Sequence, residues 1–424
     1  MRDDRLAKVV PIDALAPGAL LEPPAPVAPE ALLDTPARRT RTLDIGVFGI
    51  RGIPSTYSGF ETFLTVLLPE LAARGHRVTV YCRRGHDDDD WQGDYRGVAR
   101  RSLPSVATKQ LDTLSHGLVA SAVARTRDHD LFLAFNVANA PFCLAARATG
   151  QRVVLSTDGQ EWIRGKWGTA ARRLFLAFAS MAKWSASALI SDCNGMREIY
   201  REQFGTDSTV IPYCWTGIDQ GDGRHPTGHA PGSYLVAGGR LIPENNIEGI
   251  AQAFARTDVE DPLLILGTAN YRSPVEAGLR ALADRDPRIR LRGHVADRAE
   301  YASLLRHAKG YLHGHSVGGI NPSLVEAMGS GAVIAALGTP FNREAAGPEA
   351  FYFDDCGETL EGAINAIADL APAEDRRLRQ ANRRRADERF SLEAVADAYE
   401  DLLAAAATTS PFRSVTVPTA WSDD

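Results

Sequence analysis

Twice in this chain a short apolar run breaks into a glycine-rich turn and then into a helix-forming stretch, and that recurrence decides most of what the chain can fold into. The first instance is Leu43-Asp44-Ile45-Gly46-Val47-Phe48, followed by Gly49-Ile50-Arg51-Gly52-Ile53-Pro54 and a helical stretch from about Phe60 to Arg74. Gly75 supplies the C-cap, since only glycine takes the left-handed conformation without strain, and Val78-Thr79-Val80-Tyr81 resumes as a strand. The second is Tyr234-Leu235-Val236-Ala237-Gly238-Gly239-Arg240, with Leu241 to Asn246 and a helix to about Ala255 behind it. Runs this short and this uniformly apolar predict strands buried on both faces, the mark of parallel sheets. The order strand, loop, helix, strand opens a doubly wound α/β domain, and 424 residues with 44% hydrophobic and 24% charged leave room for two or three domains. The first glycine loop does not carry the GxGxxG spacing, so it is weak evidence for a dinucleotide and reads equally as a structural turn.

Further strands are predicted at 131–135, 152–155, 188–191 and 208–213 in the first half, and at 263–267, 289–294, 310–312 and 333–336 in the second. Residues 1–40, spaced with prolines among alanines and charges, read as a disordered tail. The division that follows is 41–218, a glycine- and proline-rich linker 219–232, 233–388, a terminal amphipathic helix 389–407 and a tail 408–424. The net charge of −6 gives no global attraction to nucleic acid. The five cysteines are odd in number and widely spaced, so neither a zinc site nor a disulfide framework is expected and a reducing cytoplasm fits. There is no apolar run long enough to span a bilayer.

The chemistry concentrates in 311–331. After a strand at 310–312, His313-Gly314-His315-Ser316-Val317-Gly318-Gly319-Ile320 offers permissive backbone, and Asn321-Pro322-Ser323 opens a helix bearing Glu326. A helix start presents unpaired N–H groups to an anion, and glycines let a phosphate approach the main chain. Glu326, an acceptor-only carboxylate, can grip sugar hydroxyls one turn further in. The plain alternative is an ordinary strand–loop–helix crossover. Arg240 falls at a strand's carboxyl end, where a permanent guanidinium can hold a diphosphate; a structural ion pair is the alternative. Asp158-Gly159-Gln160-Glu161-Trp162 leaves another strand at its carboxyl end, with a helix N-cap as the plain reading of Asp158. The acidic run Asp87–Asp90 reads as a solvated loop rather than a metal site, and Asp284-Arg285-Asp286 as a turn before Pro287. Arg164, Lys166, Arg172, Arg173 and Lys183, with Trp162, Trp167 and Trp184, surround a helix with Leu174, Phe178 and Met181 on one face. That helix either lies on an anionic membrane or is a core helix with a solvated basic side.

The segment HGHSVGGINPSLVEAMG, together with GIRGIPSTYSGFETF and RGHRVTVYCR, resembles retaining GT-B glycosyltransferases of the glycogen-synthase-like superfamily, and within it a bacterial rhamnosyltransferase-like group. The resemblance runs from about Asp44 to Ala407. It implies a GT-B fold, two Rossmann-like doubly wound domains facing a central cleft, with the terminal helix crossing back to the first domain. In the wider superfamily a glutamate, seven residues and a second glutamate embrace the sugar nucleotide; here Glu326 matches the second and Gly318 stands at the first. An arginine and a lysine share the diphosphate there; Arg240 matches the arginine and Asn245 stands at the lysine, so Ser316, helix starts or another base such as Arg343 must supply more charge.

By the same resemblance Arg240, Asp158 and Glu326 are the catalytic candidates. Donor-binding residues are Gly239, His294 and Val295 (main chain toward the nucleobase), His313, His315, Ser316, Gly318, Gly319, Ile320, Asn321, Ser323 and Glu326. The loop of Gly49, Gly52, Ile53, Pro54, Tyr57 and Gly59 faces the acceptor. The implied partners are a nucleoside diphosphate sugar, best dTDP-rhamnose, and a lipid-linked glycan or oligosaccharide acceptor at the inner membrane face, with no cofactor, no metal and no nucleic acid. A non-catalytic sugar-nucleotide or glycan-binding relative and a GT-B sugar-nucleotide epimerase are the alternatives.

Overall fold

A computed structural model describes residues 41–54, 59–84, 92–106, 112–124, 126–157, 159–164, 167–215, 228–269 and 273–422. The N-terminal tail, Tyr57, the acidic run, Asp158, Lys166 and most of the expected linker lie outside the described residues.

The first domain is a sheet of β1 (Asp44–Phe48), β2 (Arg77–Arg83), β3 (Gly93–Tyr95), β4 (Val98–Leu103), β5 (Leu131–Phe135), β6 (Val153–Ser156), β7 (Ala188–Ser191) and β8 (Thr209–Val210). Its order is β3-β4-β2-β1-β5-β6-β7-β8, parallel except for the β3–β4 pair at the edge. The apolar runs sit where their composition demands: LFLAF of β5 and VVLS of β6 are buried throughout, covered by helices on both faces. Those helices are α1 (Gly59–Ala73), α2 (Asp112–Ala124), α3 (Ala140–Ala148), α4 (Thr169–Ser185) and α5 (Asn194–Phe204). Gly75 closes α1 at φ +98, with the His76 amide reaching back to the Leu71 carbonyl.

The second domain carries β9 (Leu235–Gly238), β10 (Leu263–Leu266), β11 (Ile289–Gly293), β12 (Gly310–His313), β13 (Ile334–Leu337) and β14 (Phe351–Phe353). All are parallel in the order β11-β10-β9-β12-β13-β14. The chain winds outward from β9 through β10 to β11, then returns to the other side of β9 as β12. The reversal leaves a crevice at the carboxyl ends of β9 and β12, where open α/β sheets take their ligands. Helices α6 (Ile247–Ala255), α7 (Pro274–Ala283), α8 (Arg298–His307), α9 (Pro322–Gly329), α10 (Pro340–Ala346), α11 (Glu358–Ala368) and α12 (Pro372–Arg389) cover it.

The last helix, α13 (Leu392–Thr408), packs on the first domain. Val395, Ala396, Tyr399, Leu402 and Leu403 join the apolar cluster that holds β1 and α1, Phe63 and Tyr399 meet at 6.2 Å, and Arg74 donates to Glu400 at 3.1 Å. The segment after it, read from composition as a tail, is docked. Val415 donates to the Ser187 carbonyl at 2.8 Å, Thr419 to Val210 at 2.7 Å, and the buried Trp421 indole to Arg389 at 2.7 Å. The Thr419 hydroxyl thereby meets a carbonyl at the open edge of β8, a contact that composition alone does not reveal.

Candidate functional site

The site is built where β9 and β12 end side by side. Gly239 leaves β9 at φ +152, and a Cβ there would lie 2.9 Å from the His315 ring. A Cβ on Gly267, after β10, would lie 2.0 Å from the Gly239 carbonyl, so only glycines let these strand ends converge. Arg240 follows, exposed at the crevice mouth. Asn245, where the resemblance leads one to expect a lysine, is buried and donates through its amide to the Arg240 carbonyl at 2.9 Å. It shapes the turn and brings no charge.

Beyond β12 the backbone stays extended, so residues two apart share a face. Tyr311 and His313 stand 5.9 Å apart, and His313 and His315 stack at 4.3 Å with ring planes 7° apart. Tyr311 donates its hydroxyl to the Gly238 carbonyl at 3.2 Å. Neither nitrogen of His313 has a hydrogen-bond partner among the described residues, and burial pushes its pKa down to about 3. His315 is also held well below the usual imidazole range, first by burial and then by His313, Arg240 and Arg164. Both rings are neutral at working pH.

The loop after them is fastened at its backbone. Asn342 of α10 donates to the His315 carbonyl at 3.0 Å, Asn246 to the Gly314 carbonyl at 2.8 Å, and the Ser316 amide and hydroxyl both reach the Glu244 carbonyl at 3.0 Å. Ser316 is thus spent on the loop itself. Gly318 takes φ +104, Ile320 is buried, and Asn321 precedes Pro322 in extended backbone without capping α9 through its side chain. Ser323 lies beside the Tyr311 hydroxyl. Glu326 is buried one turn in and ion-paired with Arg298, which also lies over the Tyr301 ring at 5.1 Å. His294 is exposed and Val295 half-buried past Gly293, whose carbonyl accepts from Gly267 at 2.8 Å.

From the other side, the first domain presents the carboxyl ends of its own sheet. Gly49 at φ +94 passes so close to Phe135 that a Cβ would lie 2.2 Å from its carbonyl oxygen. Arg51 donates its amide to buried Glu61 at 2.8 Å, Arg100 holds the Ile53 carbonyl at 3.2 Å, and with Gly52 they fix the loop, leaving Pro54 exposed. A Cβ on Gly59 would lie 2.8 Å from Pro322, and one on Gly319 would overlap the Asp192 carboxylate at 1.9 Å. The two domains therefore meet at glycine contacts, Gly59 at the start of α1 against Pro322 of α9 and Gly319 against Asp192. Asp158 and Tyr57 lie outside the described residues.

Four assignments change. Arg343 donates to the Gly338 carbonyl at 3.2 Å and lies 4.3 Å over the Tyr352 ring, so it serves the β13–β14 end rather than Arg240. Trp162 does not face outward: it is buried against Tyr200 and Phe204 at 6.1 and 5.5 Å. Leu174 is not a core residue but is 45% exposed, because α4 buries the small side chains Ala179, Ala182 and Ser185. Arg164 leaves the basic stretch altogether and sits in the cleft, paired with Glu161 at 2.8 Å. Sequence reasoning also passed over Asp192, Arg298 and Asn342; Asn342 is the neighbour of Arg343, and nothing local marks the other two.

Residues 58–214 match the family described as Glycosyl transferase 4-like domain. No curated protein matches the chain. Among solved structures, sucrose-phosphate synthase from Thermosynechococcus elongatus is 18% identical, with 86% of this chain and 100% of that one covered at a TM-score of 0.70. HepE from Anabaena, in complex with UDP and glucose, is 15% identical over 85% and 99% at 0.65. A structure described as trehalose-6-phosphate from E. coli bound with UDP-2-fluoro glucose is 11% identical over 85% and 98% at 0.67. At such identities the likeness establishes the fold, and that fold is GT-B.

Proposed function

We propose that this protein is a glycosyltransferase, moving a sugar from a nucleoside diphosphate to a hydroxyl acceptor bound across the cleft. The observation that carries the reading is the convergence, at the switch point of a GT-B second domain, of exposed Arg240, a glycine loop held by its own backbone, the start of α9 and buried Glu326. These are the groups a sugar diphosphate requires: charge for the phosphates, free approach to main chain, and a carboxylate for hydroxyls. Two solved relatives of the fold hold UDP with glucose or UDP-2-fluoro glucose.

In the reaction the sugar C1–O bond to the diphosphate breaks with its electron pair on the phosphate oxygen, a bond forms from the acceptor oxygen to C1, and the acceptor proton passes to that phosphate oxygen. Arg240 and the α9 start offset the charge that develops. Retention of configuration, dTDP-rhamnose as donor, a lipid-linked glycan as acceptor, operation without metal and a place at the inner membrane face rest on the motif resemblance.

The test is a panel of nucleotide sugars in thermal shift, followed by turnover with the best binder. A donor at a hundred times its Kd stabilises by about 2.7 kcal/mol, and Arg240→Ala is expected to lower turnover by ~10²–10³ while leaving the unliganded melting temperature in place. Binding without release of nucleoside diphosphate identifies a non-catalytic relative; release without an acceptor-linked product identifies an epimerase. Unchanged turnover in Arg240→Ala removes that residue from the site.

A further inference from the structure

Measured against the superfamily pattern, the second domain lacks one charge of each sign, with glycine at 318 and asparagine at 245. The first domain brings such a pair to the same place. Glu161 and Arg164 follow β6, and their side chains are 12% and 13% exposed. Glu161 is ion-paired with Arg164, 2.8 Å from its Nε, and accepts from the Trp167 indole at 2.6 Å, which holds the carboxylate against the guanidinium. The outer edge of the guanidinium is directed across the cleft: Nη2 lies 3.2 Å from the Cβ position of Gly159 and 3.5 Å from that of Gly318. Gly318, at φ +104, has no side chain to stand between the guanidinium and the loop.

Resting on the functional reading above, we propose that Arg164 is the second diphosphate-binding cation, supplied in trans by the first domain, and that Glu161 positions it. Asn245 has its amide committed to the Arg240 carbonyl and brings no charge, and Ser316 and Arg343 are engaged elsewhere. Arg164 stands at the loop that leads into α9. A guanidinium presents five donors, so one held at Nε by a carboxylate still offers a two-nitrogen edge to phosphate oxygens. Because Arg240 and Arg164 come from opposite domains, a bound diphosphate bridges them, and the full charge at the leaving group is assembled only where the domains meet.

The experiment is calorimetric titration of wild type, Arg240→Ala, Arg164→Gln and Arg164→Lys with UDP, dTDP, GDP and ADP, and with the nucleoside of whichever binds best. Arg164→Gln keeps bulk and hydrogen bonding while removing the charge. It is expected to weaken the nucleoside diphosphate by about tenfold to hundredfold, the worth of one charged hydrogen bond, and to leave nucleoside affinity unchanged. Arg164→Lys is expected to fall between. Wild-type affinity in both Arg164 variants, or an equal loss for diphosphate and nucleoside, overturns the proposal while a loss confined to Arg240→Ala leaves the functional reading standing. Failure of wild type to bind any nucleoside diphosphate overturns both.

Discussion

A pair of imidazoles buried face to face, one with neither nitrogen bonded, makes stability depend on pH in a known direction. His313 has a folded pKa of about 3, below its unfolded value near 6.5. The folded state therefore refuses a proton that the unfolded chain accepts. Its contribution is fully present above about pH 6.5 and is lost as pH falls below it, at a slope approaching one proton, about 1.4 kcal/mol per pH unit. Urea unfolding midpoints between pH 7.5 and 5.0 are expected to fall more steeply in wild type than in His313→Phe; equal slopes would show that His313 is not held neutral. The sequence displayed these histidines plainly, because HGHS follows a strand, but not their stacking, which depends on the backbone staying extended past β12. Arg164 was illegible for another reason. Charge clustering along a chain marks a basic stretch, whereas the direction of one side chain is set by a neighbour, here Glu161.

The strands were legible element by element, since uninterrupted apolar runs have few other fates, and the switch point followed from their order. The glycines were legible only in part. Gly59, read as part of the acceptor-facing loop, and Gly319, read as an opening for phosphate, prove to be contact points: Gly59 of the first domain meets Pro322 at the start of α9, and Gly319 in the loop before α9 meets Asp192 of the first domain. Gly319→Ala places a methyl into the Asp192 carboxylate and is expected to cost about 1–3 kcal/mol, the usual range for overpacking. Asp192→Ala should recover much of that loss, so a double-mutant cycle by urea denaturation is expected to return a coupling above ~1 kcal/mol. Additive effects would mean that the loop swings away from Asp192 and that the contact does not set the cleft.

At the scale of the whole molecule, ties outside the cleft also hold the halves together. Glu344 of α10 accepts the Asn194 amide at 2.8 Å at the start of α5, and α12 hands the chain back through Trp215, whose amide reaches the Phe390 carbonyl at 2.9 Å. No helix among the described residues is long and apolar enough to cross a membrane, and a basic, apolar surface is another means of meeting a bilayer. Helix α4 offers one, reduced from what the sequence promised: Trp162 and Arg164 are inside. Leu174 and Trp184 remain 45% and 56% exposed, beside exposed Arg172 and Arg173, with Lys183 lying 4.4 Å over the Trp184 ring. Leu174 and Trp184 lie ten positions apart, about 80° from each other around the helix at 3.6 residues per turn, on adjoining parts of its exposed side. An apolar stripe flanked by cations is the arrangement that rests in an anionic interface, each cation adding ~1 kcal/mol near the surface and losing it as salt screens the charge. Sedimentation with anionic vesicles is expected to carry the protein down at low salt and release it at high salt, with neutral vesicles ineffective. Leu174→Ser with Trp184→Ser should weaken that binding without changing donor affinity, because the helix face and the cleft share no residue. Binding that ignores lipid charge, or is absent, would leave α4 a solvated cover of the first sheet and return the acceptor to the aqueous phase.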